Sequence, residues 1–228
     1  MCGESSRRGD TTGSTYTDPG AVTEEAYAIS KKSRLLARER IGDRTLEDRI
    51  RQRCSIAVGD FKMAELMRFK HDPVGAGLRA LQSGAPILTD IRMVQVGIQK
   101  KGHRSRVACA LDYGEETARE RGITRTSAGF LALAEELTGA IVVIGNAPSA
   151  LLTLCGQIRG GTVRPALVIG TPVGFVNAAE SKEVLRGIQI PSISNEGTRG
   201  GTPVAVAALN ELITIHIEEQ DAGSGNGV

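Results

Sequence analysis

Residues 140–152 read AIVVIGNAPSALL, and this stretch decides the fold. Its first part is an unbroken apolar run that ends at Gly145, as expected for a strand buried on both faces of a parallel sheet. Pro148 follows where a first helical turn accepts proline, because no intrahelical N–H bond is lost there. A strand that passes through a short turn into a helix is the building unit of an α/β protein.

The same unit recurs on both sides of this stretch. The other strand-like runs are APILTD (85–90), RVACAL (106–111), PALVIG (165–170) and IPSIS (190–194). Helical patterns cover residues 126–137, 148–158, 177–186 and 202–217. The alternation predicts a single doubly wound, mainly parallel sheet with flanking helices.

An N-terminal helical segment is predicted ahead of the sheet. Residues 23–40 have an acidic start and spaced apolar positions, and Thr45 with Asp48 forms a capping pattern for a second helix. Asp72 and Pro73 mark the start of a third. Residues 1–20 and 218–228 are polar and predicted to be disordered tails, which leaves one domain over residues 21–217.

Composition excludes several classes of partner. The net charge is +2, aromatic residues make up 3% and Trp is absent, so we expect no nucleic-acid binding. The apolar runs are too short to span a membrane and no secretory signal is visible, so a cytoplasmic protein is expected. Four scattered cysteines and three scattered histidines suggest neither disulfides nor a metal site. Walker A and G-x-G-x-x-G patterns are absent, so no nucleotide cofactor is expected.

Three loops at the ends of predicted strands are rich in glycine, asparagine and proline: residues 145–150, 170–182 and 195–202. In open α/β sheets, ligands bind beyond the carboxyl ends of the strands. The N–H groups of Asn146 and Ala147, at a helix start, are predicted to receive an anionic or carbonyl group, with a simple capped turn as the alternative. Arg199 lies among glycines and can bind a carboxylate through two parallel bonds.

Five segments carry a family resemblance: GAPILTDIRMV (84–94), GITRTSAG (122–129), VIGNAPSAL (143–151), GTPVGFVNAAESK (170–182) and GTRGG (197–201). In this order they resemble the precorrin-8X methylmutases over about residues 21–217. The resemblance implies a homodimer with active sites near the subunit interface. It also implies migration of a methyl group from carbon 11 to carbon 12 of a precorrin or cobalt-precorrin ring, giving hydrogenobyrinate or cobyrinate.

The implied substrate is a flat, polycarboxylate tetrapyrrole, the corrinoid precursor, and whether it carries cobalt stays open. No cofactor of the protein's own is implied. The substrate-binding positions indicated by the matching segments and their loops are Arg53, Asp90, Met93, Val94, Arg125, Thr126, Gly145, Asn146, Ala147, Pro148, Arg199, Gly200 and Gly201. A single surface arginine is more often only a solvated charge, but as a set these arginines suit a substrate with several carboxylates.

The chain departs from the family at one important position. The family carries an Arg-x-x-His pattern in the second helix, whose histidine donates a proton to the macrocycle. Here Arg53 matches the arginine and Ile56 occupies the histidine position, so the catalytic acid is left unassigned. His71, Ser55 or a bound water are the substitutes considered.

Three functions are compatible with these features. The preferred one is an isomerase of corrin biosynthesis. A catalytically silent corrinoid-binding protein would retain the cleft without the acid, and an unrelated small-molecule binder would share only the scaffold.

Overall fold

Six strands form one sheet in the computed structural model, which describes residues 23–224. The strands are β1 (Met67–Lys70), β2 (Ile87–Thr89), β3 (Val107–Cys109), β4 (Ile141–Ile144), β5 (Leu167–Gly170) and β6 (Ser192–Asn195). The helices are α1 (Glu24–Ile41), α2 (Leu46–Val58), α3 (Lys62–Leu66), α4 (Pro73–Gln82), α5 (Arg92–Gly97), α6 (Glu115–Arg121), α7 (Arg125–Ala132), α8 (Ala134–Leu137), α9 (Pro148–Arg159), α10 (Ala178–Arg186) and α11 (Thr202–Ser224). A 3-10 turn covers Ala110–Asp112.

The strand order is β1-β6-β5-β4-β2-β3, with β2 to β6 parallel and β1 antiparallel to β6. From β2 the chain moves outward to β3, then returns past β2 to β4 and continues to β5 and β6. The winding direction therefore reverses between β2 and β4, and the loops that follow these strands diverge there. This arrangement confirms the doubly wound, mainly parallel sheet predicted from the sequence.

The strands are buried on both faces because helices cover both. Ile141 and Val143 of β4 pack into a core with α2, α4 and α11. Val142 and Ile144 of the same strand point to the opposite side and pack with α7, α9 and α10. Alternate residues of a strand face opposite sides, so a strand between two helical layers must be apolar throughout, which explains the continuous apolar runs.

The N-terminal helices are capped as predicted. Thr45 accepts a hydrogen bond from the Asp48 N–H, and the Asp48 carboxylate accepts one from the Thr45 N–H. Asp72 accepts a hydrogen bond from the Gly75 N–H at the start of α4. None of the helices within residues 23–224 is long and apolar enough to cross a membrane.

A buried ion cluster attaches α1 and α2 to α11. Arg34 binds both carboxylate oxygens of Glu211 at 3.1 and 2.7 Å, and Arg49 binds Glu211 at 3.0 Å. Arg49 also binds both oxygens of Glu218 at 2.5 and 3.1 Å. Helix α11 continues past the predicted end at residue 217 to Ser224, and Arg49 anchors Glu218 just beyond that point, so the prediction of a disordered tail from residue 218 is wrong for this part. The predicted tail at 1–20 lies outside the described residues.

Strand β1 was not foreseen from the sequence. Its four residues, MRFK, alternate apolar and basic side chains, but the run is short and half of it is charged, so it does not stand out from the flanking sequence. As an edge strand it pairs only with β6, and Arg68 binds Glu196 just beyond the end of β6. Charged side chains are common on edge strands because they discourage pairing with other chains.

Three of the four cysteines lie in the described part of the chain, and all three are buried and free. They are Cys54, Cys109 and Cys155. Burial raises the pKa of the Cys155 thiol to about 12. These cysteines are therefore small apolar core residues, as the scattered pattern indicated.

Candidate functional site

Loops after β2, β4, β5 and β6 lie at one edge of the sheet because these strands are parallel. At two glycines the backbone of one loop lies very close to the backbone of the next. A Cβ on Gly145 would lie 2.9 Å from the Thr202 Cα, and a Cβ on Gly200 would lie 2.3 Å from the Thr171 carbonyl oxygen. Only glycine fits at either position, so the three glycine-rich loops predicted from the sequence form one continuous edge.

Asp90 lies directly after β2, and its side chain caps the start of α9. Its carboxylate accepts hydrogen bonds from the N–H groups of Asn146 at 2.7 Å, Ala147 at 2.8 Å and Gly145 at 3.3 Å. The Ile91 N–H contributes a fourth at 3.0 Å. Burial raises the pKa of the Asp90 carboxyl, and the N–H donors act in the opposite direction.

The N–H groups predicted to receive a ligand therefore have an internal partner, since Asp90 already accepts from them. A carboxylate favours a helix N-terminus for the same electrostatic reason that a ligand anion would. Asp90 and Val94 are both fully buried, so neither offers a surface to a ligand. In this structure these residues join β2 to β4 across the point where the winding direction reverses.

The loop between β6 and α11 is anchored to the loop after β5. The Gly201 N–H donates to the Thr171 carbonyl at 2.7 Å, and the Gly174 N–H donates to the Thr198 carbonyl at 3.1 Å. Gly200 has φ of 141°, a conformation that side-chain-bearing residues rarely adopt. The Arg199 side chain projects from this loop, is 55% exposed, and binds Asp60 at 2.5 Å.

Arg125 and Thr126 lie at the start of α7, beside the loop after β4. The Thr124 and Ser149 hydroxyls are 2.9 Å apart, which joins the start of α7 to the start of α9. Arg125 is exposed and donates to the Leu111 carbonyl at 3.0 Å, while Thr126 is buried. Arg125 and Arg199 thus both present guanidinium groups to solvent.

Arg53 and Ile56 line a cavity of about 340 Å³ between α2 and α11. The other lining residues are Ala57, Pro203, Val206, Ala207 and Asn210. Arg53 is the one charged residue among these seven. Where the resemblance implies a histidine, this cavity has a hydrocarbon side chain.

None of the three histidines lies at the ligand edge of this chain, and the structure does not place His71, the suggested substitute acid, in the cavity beside Ile56. His71 follows Lys70, which pairs with Ser192 at the start of β6, and so it lies at the amino edge of the sheet. His216 is buried late in α11, and its pKa is lowered chiefly by burial. His103 binds the Gln99 carbonyl at 2.7 Å. Ser55 is fully buried and is not among the residues that line the cavity.

Several large apolar side chains near this edge are exposed. Phe175 is 96% exposed and Val176 75%, both in the loop after β5, and Met93 and Val96 on α5 are 64% and 73% exposed. The sequence segment GTPVGFVNAAESK was singled out for its glycines, and the projection of Phe175 into solvent was not foreseen. Large apolar side chains exposed in this way are typical of a surface that contacts another molecule.

Lys182 is the second residue that the sequence did not reveal. It is fully buried on α10, and its Nζ donates to the Arg199 carbonyl at 2.6 Å and to Asn195 Oδ1 at 3.4 Å. Burial, with Arg186 nearby, lowers the pKa of Lys182 to about 8. Its place in the segment AAESK gave no sign of burial, because lysine is seldom buried in proteins.

Comparison with known proteins identifies the family. A family model for precorrin-8X methylmutase matches residues 28–215. The cobalt-precorrin-8 methylmutase of Methanocaldococcus jannaschii is 38% identical over 206 residues, which cover 85% of this chain and 96% of that protein. The precorrin-8X methylmutase of Pseudomonas aeruginosa is 42% identical over 166 residues, or 69% of this chain and 79% of that one.

A solved structure of the precorrin-8x methyl mutase from Thermus thermophilus has the same fold. The TM-score is 0.77 at 39% sequence identity, and the match covers 85% of this chain and 97% of that one. The resemblance carried by the five loop segments and the doubly wound sheet lead to the same conclusion. The chain belongs to the precorrin-8X methylmutase family.

Proposed function

We propose that this chain is an isomerase of cobalamin biosynthesis that moves a methyl group from carbon 11 to carbon 12 of precorrin-8 or cobalt-precorrin-8. The observation that carries the proposal is the family match over residues 28–215, which includes every loop at the carboxyl edge of the sheet. The product would be hydrogenobyrinate or cobyrinate, according to whether cobalt is present.

The chemistry of the edge suits a flat polycarboxylate. Arg125 and Arg199 offer exposed guanidinium groups on opposite sides of the loop after β4, and guanidinium binds carboxylate through two parallel hydrogen bonds. Gly200 and Gly201 allow the backbone to approach a ring closely. We infer that these four residues contact the substrate, and that Asp90 acts only by holding the edge together.

Methyl migration around a conjugated ring is a pericyclic rearrangement that needs no nucleophile. The protein's task is then to bind the ring in a reactive shape and to bind the transition state of the migration more tightly than the substrate. Proton donation by a general acid typically contributes about 100-fold to 10,000-fold. Ile56 cannot supply that share, so turnover should be slower than in a relative with a histidine there. The proposed reaction uses no cofactor.

The test follows the visible spectrum of precorrin-8 and of cobalt-precorrin-8 after addition of the protein. Conversion of either substrate to its corrin product supports the isomerase. The relatives described above carry names for both substrates, so the two are assayed side by side. A spectrum unchanged with both substrates would count against catalysis.

A catalytically silent corrinoid-binding protein is the second candidate, and Ile56 is the observation that favours it. The variant Ile56→His separates the two functions. If the wild-type protein binds product without turnover and Ile56→His turns over, the silent binder is the correct function. If both turn over and the variant is faster, the isomerase proposal stands and the general-acid share is measured directly.

We also propose a homodimer, as the family resemblance implies. The exposed apolar side chains of Phe175, Val176, Met93 and Val96 support it, because a second copy covering them would remove them from water. Sedimentation at micromolar concentration tests it, with Phe175→Asp expected to weaken association. A monomeric wild-type protein would contradict the proposal. The cytoplasmic location stays a prediction.

A further inference from the structure

Lys182 is a buried cation without an ion-pair partner among residues 23–224. Its side chain is 0% exposed, and its two hydrogen-bond acceptors are neutral: the Arg199 carbonyl and the Asn195 side-chain amide. Burial of an ammonium group without an opposite charge is costly, and an apolar side chain of similar volume would pack more cheaply. Stability of the fold alone therefore does not account for a lysine at this position.

The group that Lys182 holds belongs to the ligand edge. The Arg199 carbonyl receives two donors, the Lys182 ammonium at 2.6 Å and the Asn195 amide nitrogen at 2.5 Å. The next two residues, Gly200 and Gly201, are packed against and bonded to Thr171. The ammonium thus fixes the backbone from which the Arg199 guanidinium projects.

The charges around Lys182 have both signs, and none of the acidic groups bonds to its ammonium. On α10, Arg186 adds a like charge, and the other charged residues of that helix are the acidic Glu180 and Glu183. On the neighbouring elements, Glu196 binds Arg68 and Arg199 binds Asp60. Helix α9, which packs against α10, has a single charged residue, Arg159, in its last turn. Lys182 itself is therefore left with neutral hydrogen-bond acceptors, although acidic groups are present on the same helix.

Building on the proposed polycarboxylate substrate, we propose that Lys182 is a positioning residue: its ammonium orders residues 195–201 for a substrate carboxylate, whose negative charge completes the site. Lys182 acts through the loop backbone and through its field, whereas Arg199 makes the direct contact. In a water-poor environment a charge acts more strongly on its neighbours than at the surface.

The proposal has a consequence for pH. Because the pKa of Lys182 is lowered to about 8, the ammonium is lost as the pH rises above that value in the free protein. A bound carboxylate favours the charged form and raises the pKa again. Product should therefore bind more weakly above pH 8, and binding there should take up protons.

The experiment measures the affinity of hydrogenobyrinate, by its visible spectrum, for the wild-type protein and for Lys182→Met at about pH 7 and about pH 9. The variant keeps the length of the side chain and removes the charge. We expect about tenfold weaker binding or more at the lower pH, and little further loss at the higher pH, where the wild type does lose affinity. Lys70→Met, at an exposed lysine of β1, is the matched control and should match the wild type.

Two additional measurements make the outcome decisive. In the double variant with Arg199→Ala, the losses should be less than additive, because Lys182 acts through Arg199. Proton uptake by the wild type at about pH 8.5, measured by calorimetry in two buffers of different ionisation heat, needs no variant and covers the case in which Lys182→Met does not fold.

Equal affinity and an equal pH profile for the wild type and Lys182→Met would overturn the positioning role and leave the proposed function intact. An absence of proton uptake by the wild type would do the same. If the wild type itself does not bind hydrogenobyrinate at either pH, both the proposed function and this inference are lost.

Discussion

Glu211 and Lys182 are both fully buried, yet only Glu211 is surrounded by opposite charge. Glu211 binds two arginines and joins α1 and α2 to α11, far along that helix from the ligand edge. Lys182 has neutral partners and lies against a loop of that edge. A charge that the fold neutralises by itself is explained by the fold, whereas a charge left uncompensated indicates that another molecule supplies the opposite charge.

The largest effect is expected from Glu211→Gln. The change leaves Arg34 and Arg49 beside a neutral amide, and loss of one partner of a buried pair costs about 3–5 kcal/mol of the free energy of unfolding. Denaturant unfolding followed by circular dichroism measures it. Product affinity of the folded protein should stay at the wild-type value, and a loss of both together would mean that the two buried charges are not separate in function.

The next prediction concerns the stability contribution of Lys182 as pH changes. An unfolded lysine has a pKa near 10.5 and the folded one about 8, so between these values the unfolded chain binds a proton that the folded protein has released. The free energy of unfolding therefore rises with pH across this window, by on the order of 3 kcal/mol. Denaturant midpoints at several pH values measure the slope, and subtraction of the Lys182→Met slope removes other titrating groups. Identical slopes would contradict the lowered pKa.

Arg125→Ala and Arg199→Ala should each weaken product binding by about 2 kcal/mol, because each removes a charge-assisted contact to a substrate carboxylate. Both side chains are exposed, so the free energy of unfolding should hardly change. Spectroscopic titration with hydrogenobyrinate measures the affinity. If neither variant binds more weakly, the polycarboxylate cleft is not located between these arginines.

The smallest effect is expected from Glu196→Gln. Its ion pair with Arg68 is exposed on both sides, and surface pairs contribute about 0–1 kcal/mol. Denaturant unfolding should place this variant within that range of the wild type. A cost as large as that of Glu211→Gln would show that burial is not what distinguishes the two pairs.

The sheet and its loops could be predicted from the sequence because the signals are local. Apolar runs indicate β2 to β5, the run IPSIS with its two serines indicates β6, and glycine, asparagine and proline mark the loops that follow several of them. Strand β1 was missed because an edge strand can be short and charged. The continuation of α11 past residue 217 was missed because it depends on a partner, Arg49, that is distant in the sequence.

The site was only partly predictable for the same reason. The loops were identified, but the occupancy of the Asn146 and Ala147 N–H groups by Asp90 depends on two strands lying side by side. Burial of Lys182 likewise depends on α10 packing over the loop that carries Arg199. Local patterns therefore locate a ligand edge more reliably than they assign the role of each charged residue in it.

The reactivity of the three buried cysteines reports local unfolding of this protein. A thiol shielded from solvent reacts with an alkylating agent only while the surrounding core is exposed. Cys54 and Cys155 lie in the cores on opposite faces of the sheet. Peptide-level mass spectrometry after a short alkylation pulse would therefore show, even in a cell extract and without any engineered label, which face opens first.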